Sequence, residues 1–236
     1  MIPEGRFGAQ LAAIEKLLGN LEILEERQAS PNKSLGAAHF RGMNYRQVYE
    51  QCIREYAYDF RLVDQALLLF TRAGHNEHDG QLGFCYYESP VNVIPYKDFV
   101  ALELGIAPIH PDYEKVIAEF GDELRPDYEQ YVSSQDSKAV VTPLRFDYKA
   151  EDYRPGIHPA AHMHFGFANQ IRVGTRRVMN PLSFVLFILR QRYPDNWVAF
   201  RQLRNSDQLC RNVREELDAV HEDYWCHEDG HELSLQ

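Results

Sequence analysis

Apolar residues recur at three- and four-residue spacing from the start of the chain. Over residues 8–27 they fall at Leu11, Ile14, Leu18, Leu21 and Leu24, with Glu15, Lys16, Glu22, Glu25 and Glu26 off the stripe, which predicts an amphipathic helix ended by Ser30-Pro31-Asn32. Asn44 is placed to cap a second helix whose apolar face is Tyr45, Val48, Tyr49, Cys52, Ile53 and Tyr56. The spacing then changes. Leu62 to Phe70 and Leu82 to Tyr87 are short runs of aromatic and branched residues around a polar loop, Ala73 to Gly80, and together they predict a β-hairpin with a long turn. Pro95 to Leu104 and Pro111 to Tyr131 read as helices, the second broken or kinked at Pro126. Ser133 to Ser137 is a polar connector and marks a subdomain boundary.

Strand spacing returns at Val140, Val141, Leu144, Phe146 and Tyr148. After a polar loop from Lys149 to Gly156, His162 and His164 alternate with Met163 and Phe165, so that in a strand both imidazoles share one face. Gln170 to Val178 predicts a further strand with Gly174 as a turn or bulge. Asn180-Pro181 opens a helix through Arg192, and Pro194-Asp195-Asn196 opens a last one to about residue 220. The pattern as a whole predicts an α+β protein, a mainly antiparallel central sheet with flanking helices. It divides into an N-terminal helical segment, 1–60, packed on a body, 61–222, that carries the histidines, followed by an acidic tail, 223–236.

Composition narrows the class. With 236 residues, 44% of them hydrophobic, including 13 Phe and 14 Tyr, a sizeable core forms without disulfide or metal staples. The four cysteines, Cys52, Cys85, Cys210 and Cys226, form no CxxC pair and read as reduced thiols of a cytoplasmic protein. The longest apolar run, Phe184 to Leu189, is far too short for a membrane span, and Met1 to Arg6 does not resemble a secretory signal. The net charge of −10 argues against indiscriminate nucleic-acid binding. The charge is unevenly spread: residues 145–214 carry 12 Lys and Arg against 5 acids, and residues 215–236 carry 8 acids and no Lys or Arg. Nucleic acid is thus the expected partner of the 145–214 segment, with a protein partner or a second copy expected at the N-terminal helices.

Arg145 to His164 is the richest stretch for chemistry. If the strands of Arg145/Asp147 and His162/His164 are neighbours, two imidazoles, a guanidinium and a carboxylate converge on one sheet face. Pro159 holds His158 extended and places it at the loop mouth rather than in a helical pair with His162. That set suits phosphodiester cleavage. One imidazole takes the proton from the attacking hydroxyl, another protonates the leaving oxygen, Arg145 stabilises phosphoryl charge and Asp147 orients an imidazole. The three histidines also suit a divalent metal such as zinc, although H-x3-H-x-H is not an established zinc spacing. The plain alternative is a pair of structural sheet histidines in a non-enzymatic, partner-binding subunit. Arg172, Arg176 and Arg177 are candidate phosphate contacts. Weaker metal candidates are His75, Glu77, His78 and Asp79 in the hairpin loop, and Cys226, His227 and His231 in the tail, where Trp225 is the residue expected to dock.

The run His158-Pro159-Ala160-Ala161-His162-Met163-His164-Phe165-Gly166, with Arg145-Phe146-Asp147-Tyr148 before it and Asn180-Pro181-Leu182-Ser183-Phe184 to Tyr193-Pro194 after it, resembles a bacterial family known as a domain of unknown function. The likeness covers about residues 140–195 and implies an accessory protein, with antiviral (phage) defence as one setting. The Arg-x-Asp strand before a histidine-rich strand is also similar to small toxins of toxin–antitoxin pairs, which implies a nuclease-like role for Arg145, Asp147, His158, His162 and His164. Those toxins are shorter and lack the N-terminal helices.

Overall fold

A computed structural model describes residues 2–34, 39–74, 79–107, 109–167 and 171–230. Its centre is a seven-stranded antiparallel sheet, in which each strand pairs with the next in sequence. The strands are β1 (Leu24–Arg27), β2 (Phe60–Leu62), β3 (Leu67–Ala73), β4 (Gln81–Tyr87), β5 (Leu144–Lys149), β6 (Ala161–Phe165) and β7 (Ile171–Gly174). The fold is therefore the expected α+β arrangement.

Alternation sorts the strand side chains onto two faces. Phe70, Phe84, Phe146 and Met163 lie in register across β3 to β6, and all are fully buried. Two helices cover this face, α1 (Glu4–Asn20) and α6 (Pro181–Arg192). α6 is apolar nearly all round and buries seven of its twelve residues, as a helix enclosed by a core does. It starts as the sequence predicts. The Asn180 side chain accepts from the Ser183 amide, the Ser183 hydroxyl oxygen accepts in return from the Asn180 amide, and Pro181 sits in the first turn. α2 (Tyr45–Arg54) begins in the same way at Asn44 and Gln47 and packs on the opposite face through Val48, Tyr49 and Cys52. Between β4 and β5 the chain inserts a helical lobe, α3 (Tyr96–Glu103), α4 (Tyr113–Phe120) and α5 (Arg125–Ser134), with its own small core of Phe99, Val100 and Tyr128. α7 (Pro194–Gln202) and α8 (Ser206–Glu215) complete the chain's helices among the described residues.

Several element boundaries differ from the pattern: the strand expected from Val140 begins only at Leu144 and the one expected to Val178 ends at Gly174, and four further differences reshape the fold. The expected helix over 8–27 stops at Asn20, because Glu22 takes a left-handed conformation (φ 56°). The Glu22 amide donates to Gly19 and the Ile23 amide to Leu18, closing the helix end and releasing 24–27 to form β1. The 1–60 segment thus supplies strands as well as helices. The run from Leu62 is divided by a tight turn at Gln65 (φ 65°), which makes β2 and β3 a hairpin. The helix expected over 111–131 is two helices separated by a 3-10 turn, Gly121–Leu124. Pro126 begins α5 rather than breaking it, since a first-turn proline gives up no intrahelical hydrogen bond. The last helix likewise divides, because Leu203 is extended (ψ 136°).

Candidate metal centre

The site lies on the second face of the sheet. Antiparallel pairing of β5 with β6 sets Arg145 opposite His164 and Asp147 opposite His162, so the strands that had to be neighbours are neighbours. On the far side of β5, Gly83 faces Asp147 and Cys85 faces Arg145. Beyond β6, Gly174 faces His162 and Arg172 faces His164. Gly174 ends β7 beneath Pro159, where a Cβ would lie 3.3 Å from the proline ring. The missing side chain lets the His158–Ala160 loop close over the sheet.

Three ligand-type atoms converge. His162 Nε2 and His164 Nε2 are 2.9 Å apart, His164 Nε2 is 3.2 Å from Asp147 Oδ2, and His162 Nε2 is 4.0 Å from the same oxygen. Tetrahedral zinc with bonds of about 2.0–2.1 Å needs ligand atoms roughly 3.3–3.4 Å apart. The three separations bracket that value, so these residues fit a divalent ion. Among the described residues this is the one group of three or more His, Cys, Asp or Glu so placed.

Hydrogen bonding prepares the imidazoles. His162 Nδ1 is 2.9 Å from the Pro159 carbonyl. A carbonyl only accepts, so the proton sits on Nδ1 and the Nε2 lone pair faces inward. This is the way a ligating histidine is usually oriented. A proton on His164 Nε2 then lies between His162 Nε2 and Asp147 Oδ2, at the point where a cation would replace it. His164 Nδ1 is buried without a hydrogen-bond partner. Arg145 donates to Asp147 Oδ2 at 2.8 Å, and its Nε is buried without a partner. His158 packs edge-on against His162, with ring centroids 5.0 Å apart. Its Nδ1 is also buried and unpartnered.

Charge follows from these surroundings. Burial, and then the facing His164, push His162 down to about 4, so it is neutral and available as a ligand at physiological pH. Burial likewise lowers His158, with the Arg172 guanidinium adding to the effect. Burial opposes ionisation of Asp147, but the hydrogen bond from His164 and the Arg145 charge outweigh it and hold the carboxyl below its usual value. A stability consequence follows. In the unfolded chain His162 titrates near 6.5, so the unfolded state takes up a proton first as pH falls. Metal-free protein should lose on the order of 3 kcal/mol between about pH 6.5 and 4 from this group. Asp147 adds a further loss only as pH drops below about 3.8. Urea midpoints across this range should fall more steeply for the native chain than for His162→Gln, and parallel profiles would refute the assignment.

The remaining candidates are placed as follows. Arg172 is exposed beside the site. Arg176 and Arg177 are taken up by the chain's end. Arg176 donates to the Val220 carbonyl at 2.7 Å and lies over the Trp225 ring, and Arg177 donates to the Leu217 carbonyl at 2.9 Å. Trp225 thus docks as expected. Asp229 anchors the same segment: it accepts from Tyr153 Oη at 2.5 Å, the Gly156 amide at 3.2 Å and the Cys226 amide at 2.9 Å. Cys226 and Asp229 are thus fastened to the loop that leads to His158. His75, Glu77, His78 and His231 lie outside the described residues. Cys85, read as a reduced thiol, is free and buried beside Arg145, and burial pushes its thiol up to about 12. Sequence reasoning missed the role of Pro159 as acceptor, which carries no spacing signal.

Together these features define an α+β protein with a two-histidine, one-carboxylate cluster on an antiparallel meander. The chain belongs to the family of uncharacterized conserved proteins DUF2290, whose model matches residues 12–224. No curated protein and no solved structure matches it. No helix among the described residues is long and apolar enough to cross a membrane.

Proposed function

We propose that the protein is a metal-dependent phosphodiesterase of the nuclease type, acting in the cytoplasm. The observation that supports this most directly is the convergence of His162 Nε2, His164 Nε2 and Asp147 Oδ2 beside a guanidinium and a third imidazole. A divalent ion bound there would lower the pKa of a coordinated water towards neutrality. The chain's own groups supply the rest. Arg145, about a third exposed, binds a phosphoryl oxygen and offsets the charge that develops on it. His158, at the loop mouth, carries a proton to or from the reacting oxygens. Arg172 adds positive charge at the approach.

The deep burial of His162 (4% exposed) and His164 (1%) favours one competing reading, a structural metal site in a partner-binding subunit. Cleavage assays separate the two. Single-stranded RNA and DNA oligonucleotides are offered with zinc or manganese to the native chain and to the double variant His162→Ala/His164→Ala, with folding checked by circular dichroism. We expect a loss of at least about 100-fold. An unchanged rate in a folded double variant would sink the catalytic reading. One bound metal per chain with no cleavage would instead support the structural one.

A further inference from the structure

A cavity of about 190 Å³ lies beside the metal centre, between α2 and the second face of the sheet. Its walls include Phe40, Val48, Tyr87, Pro143 and Phe167, and among the described residues its one charged wall residue is Arg145. Three aromatic residues therefore border a space that also touches Arg145, whose guanidinium contacts Asp147. A cavity of roughly 150 Å³ holds a benzene ring, so this half-open one has room for a single planar ring but not for a base pair. Arg145 and Asp147 are two residues apart on β5, about 6.5 Å along the strand. An anionic group on Arg145 is thus within one strand repeat of the metal centre, while the ring attached to it occupies the cavity.

The geometry points to a subsite for one unpaired pyrimidine nucleotide, its base among Phe40, Tyr87 and Phe167 and its phosphate on Arg145; this rests on the phosphodiesterase reading above. The physical grounds are general. Proteins that take single-stranded nucleic acid stack bases on aromatic side chains and hold the backbone with cations. A paired base cannot enter a one-ring cavity, so the site selects single strands or extruded bases.

Calorimetry with uridine 5′-monophosphate and ribose 5-phosphate tests this, since the sugar phosphate carries a hydroxyl where the nucleotide carries its base. The native protein should bind the nucleotide roughly 10-fold or more tightly than the sugar phosphate. Val48→Phe, which fills the cavity from α2, should remove that preference and leave sugar-phosphate binding in place. Because Val48 is buried, Phe167→Ala at the exposed rim serves as a second variant and should reduce the preference several-fold. Equal affinity for the two ligands would overturn the subsite, as would a preference that survives in both variants. Tighter binding of benzoate than of the nucleotide would overturn it in favour of an apolar carboxylate. Oligonucleotide cleavage separates this idea from the one it rests on. A nucleotide preference without cleavage leaves the subsite standing and removes the hydrolytic reading. Equal cleavage of abasic and ordinary strands removes the subsite alone.

Discussion

Zinc at a thousand times its dissociation constant should raise the melting temperature by roughly 8–16 °C, and His164→Ala should abolish the rise. A ligand that binds only the folded state contributes about 4 kcal/mol at that excess. A chain of this size shifts by roughly 2–4 °C per kcal/mol. The three converging atoms exist only when β5 and β6 are paired in register, which meets the condition that the unfolded chain offers no such site. His164 is the informative position because its Nε2 lies within 3.2 Å of both other ligand atoms. Removing it leaves His162 and Asp147 4.0 Å apart without a bridge. Differential scanning fluorimetry with and without zinc, alongside elemental analysis for one ion per chain, checks this. A native chain whose melting temperature ignores zinc, manganese and iron alike would refute the metal centre.

Phe84→Ala should destabilise the fold by about 3–5 kcal/mol, the usual cost of removing a fully buried phenyl ring. That is a large share of the 5–15 kcal/mol that holds a typical domain together. Phe84 is 0% exposed and sits at the centre of an aromatic cluster. Its ring centroid is 5.5 Å from both Phe70 and Phe146, 5.9 Å from Phe184 and 6.4 Å from Phe7. These partners come from two neighbouring strands and two helices, so no single shift can fill the gap. Urea unfolding should show the midpoint falling with the slope unchanged. A cost below about 1 kcal/mol would mean that the core collapses around the site far better than its packing implies.

Alternation made much of the candidate site legible. His162 and His164 share a face because a strand has a two-residue period, and Arg145 with Asp147 follows the same rule. Register was not legible, because it depends on how the 149–160 loop turns and on Gly174 leaving room for Pro159 over it. The convergence of the three ligand atoms to within 4.0 Å of one another therefore shows only in the folded chain. The fold class was readable from the change in apolar spacing, whereas its boundaries were set by residues with no compositional mark. Glu22 and Gln65 adopt left-handed conformations that are usually glycine's, and each converts an expected continuous element into two. The cavity was hidden for a similar reason. Phe40 and Val48 lie far from Phe167 in sequence, and each alone reads as ordinary core or surface.

The order of the strands has a consequence for how the site comes into being. Because neighbours in the sheet are neighbours in the chain, most pairings close short loops, which cost little entropy and form early. The exceptions are β1 and β2, which enclose α2, and β4 and β5, for which the whole helical lobe must be spanned before they meet. Yet Arg145, Asp147, His162 and His164 all belong to one hairpin, Leu144–Phe165. The ligand set can thus assemble within a local unit ahead of that slow closure, and a cation captured at this stage would bias the later steps towards the native sheet. Metal present during refolding should then act on the folding rate itself, as well as on the lifetime of the finished protein.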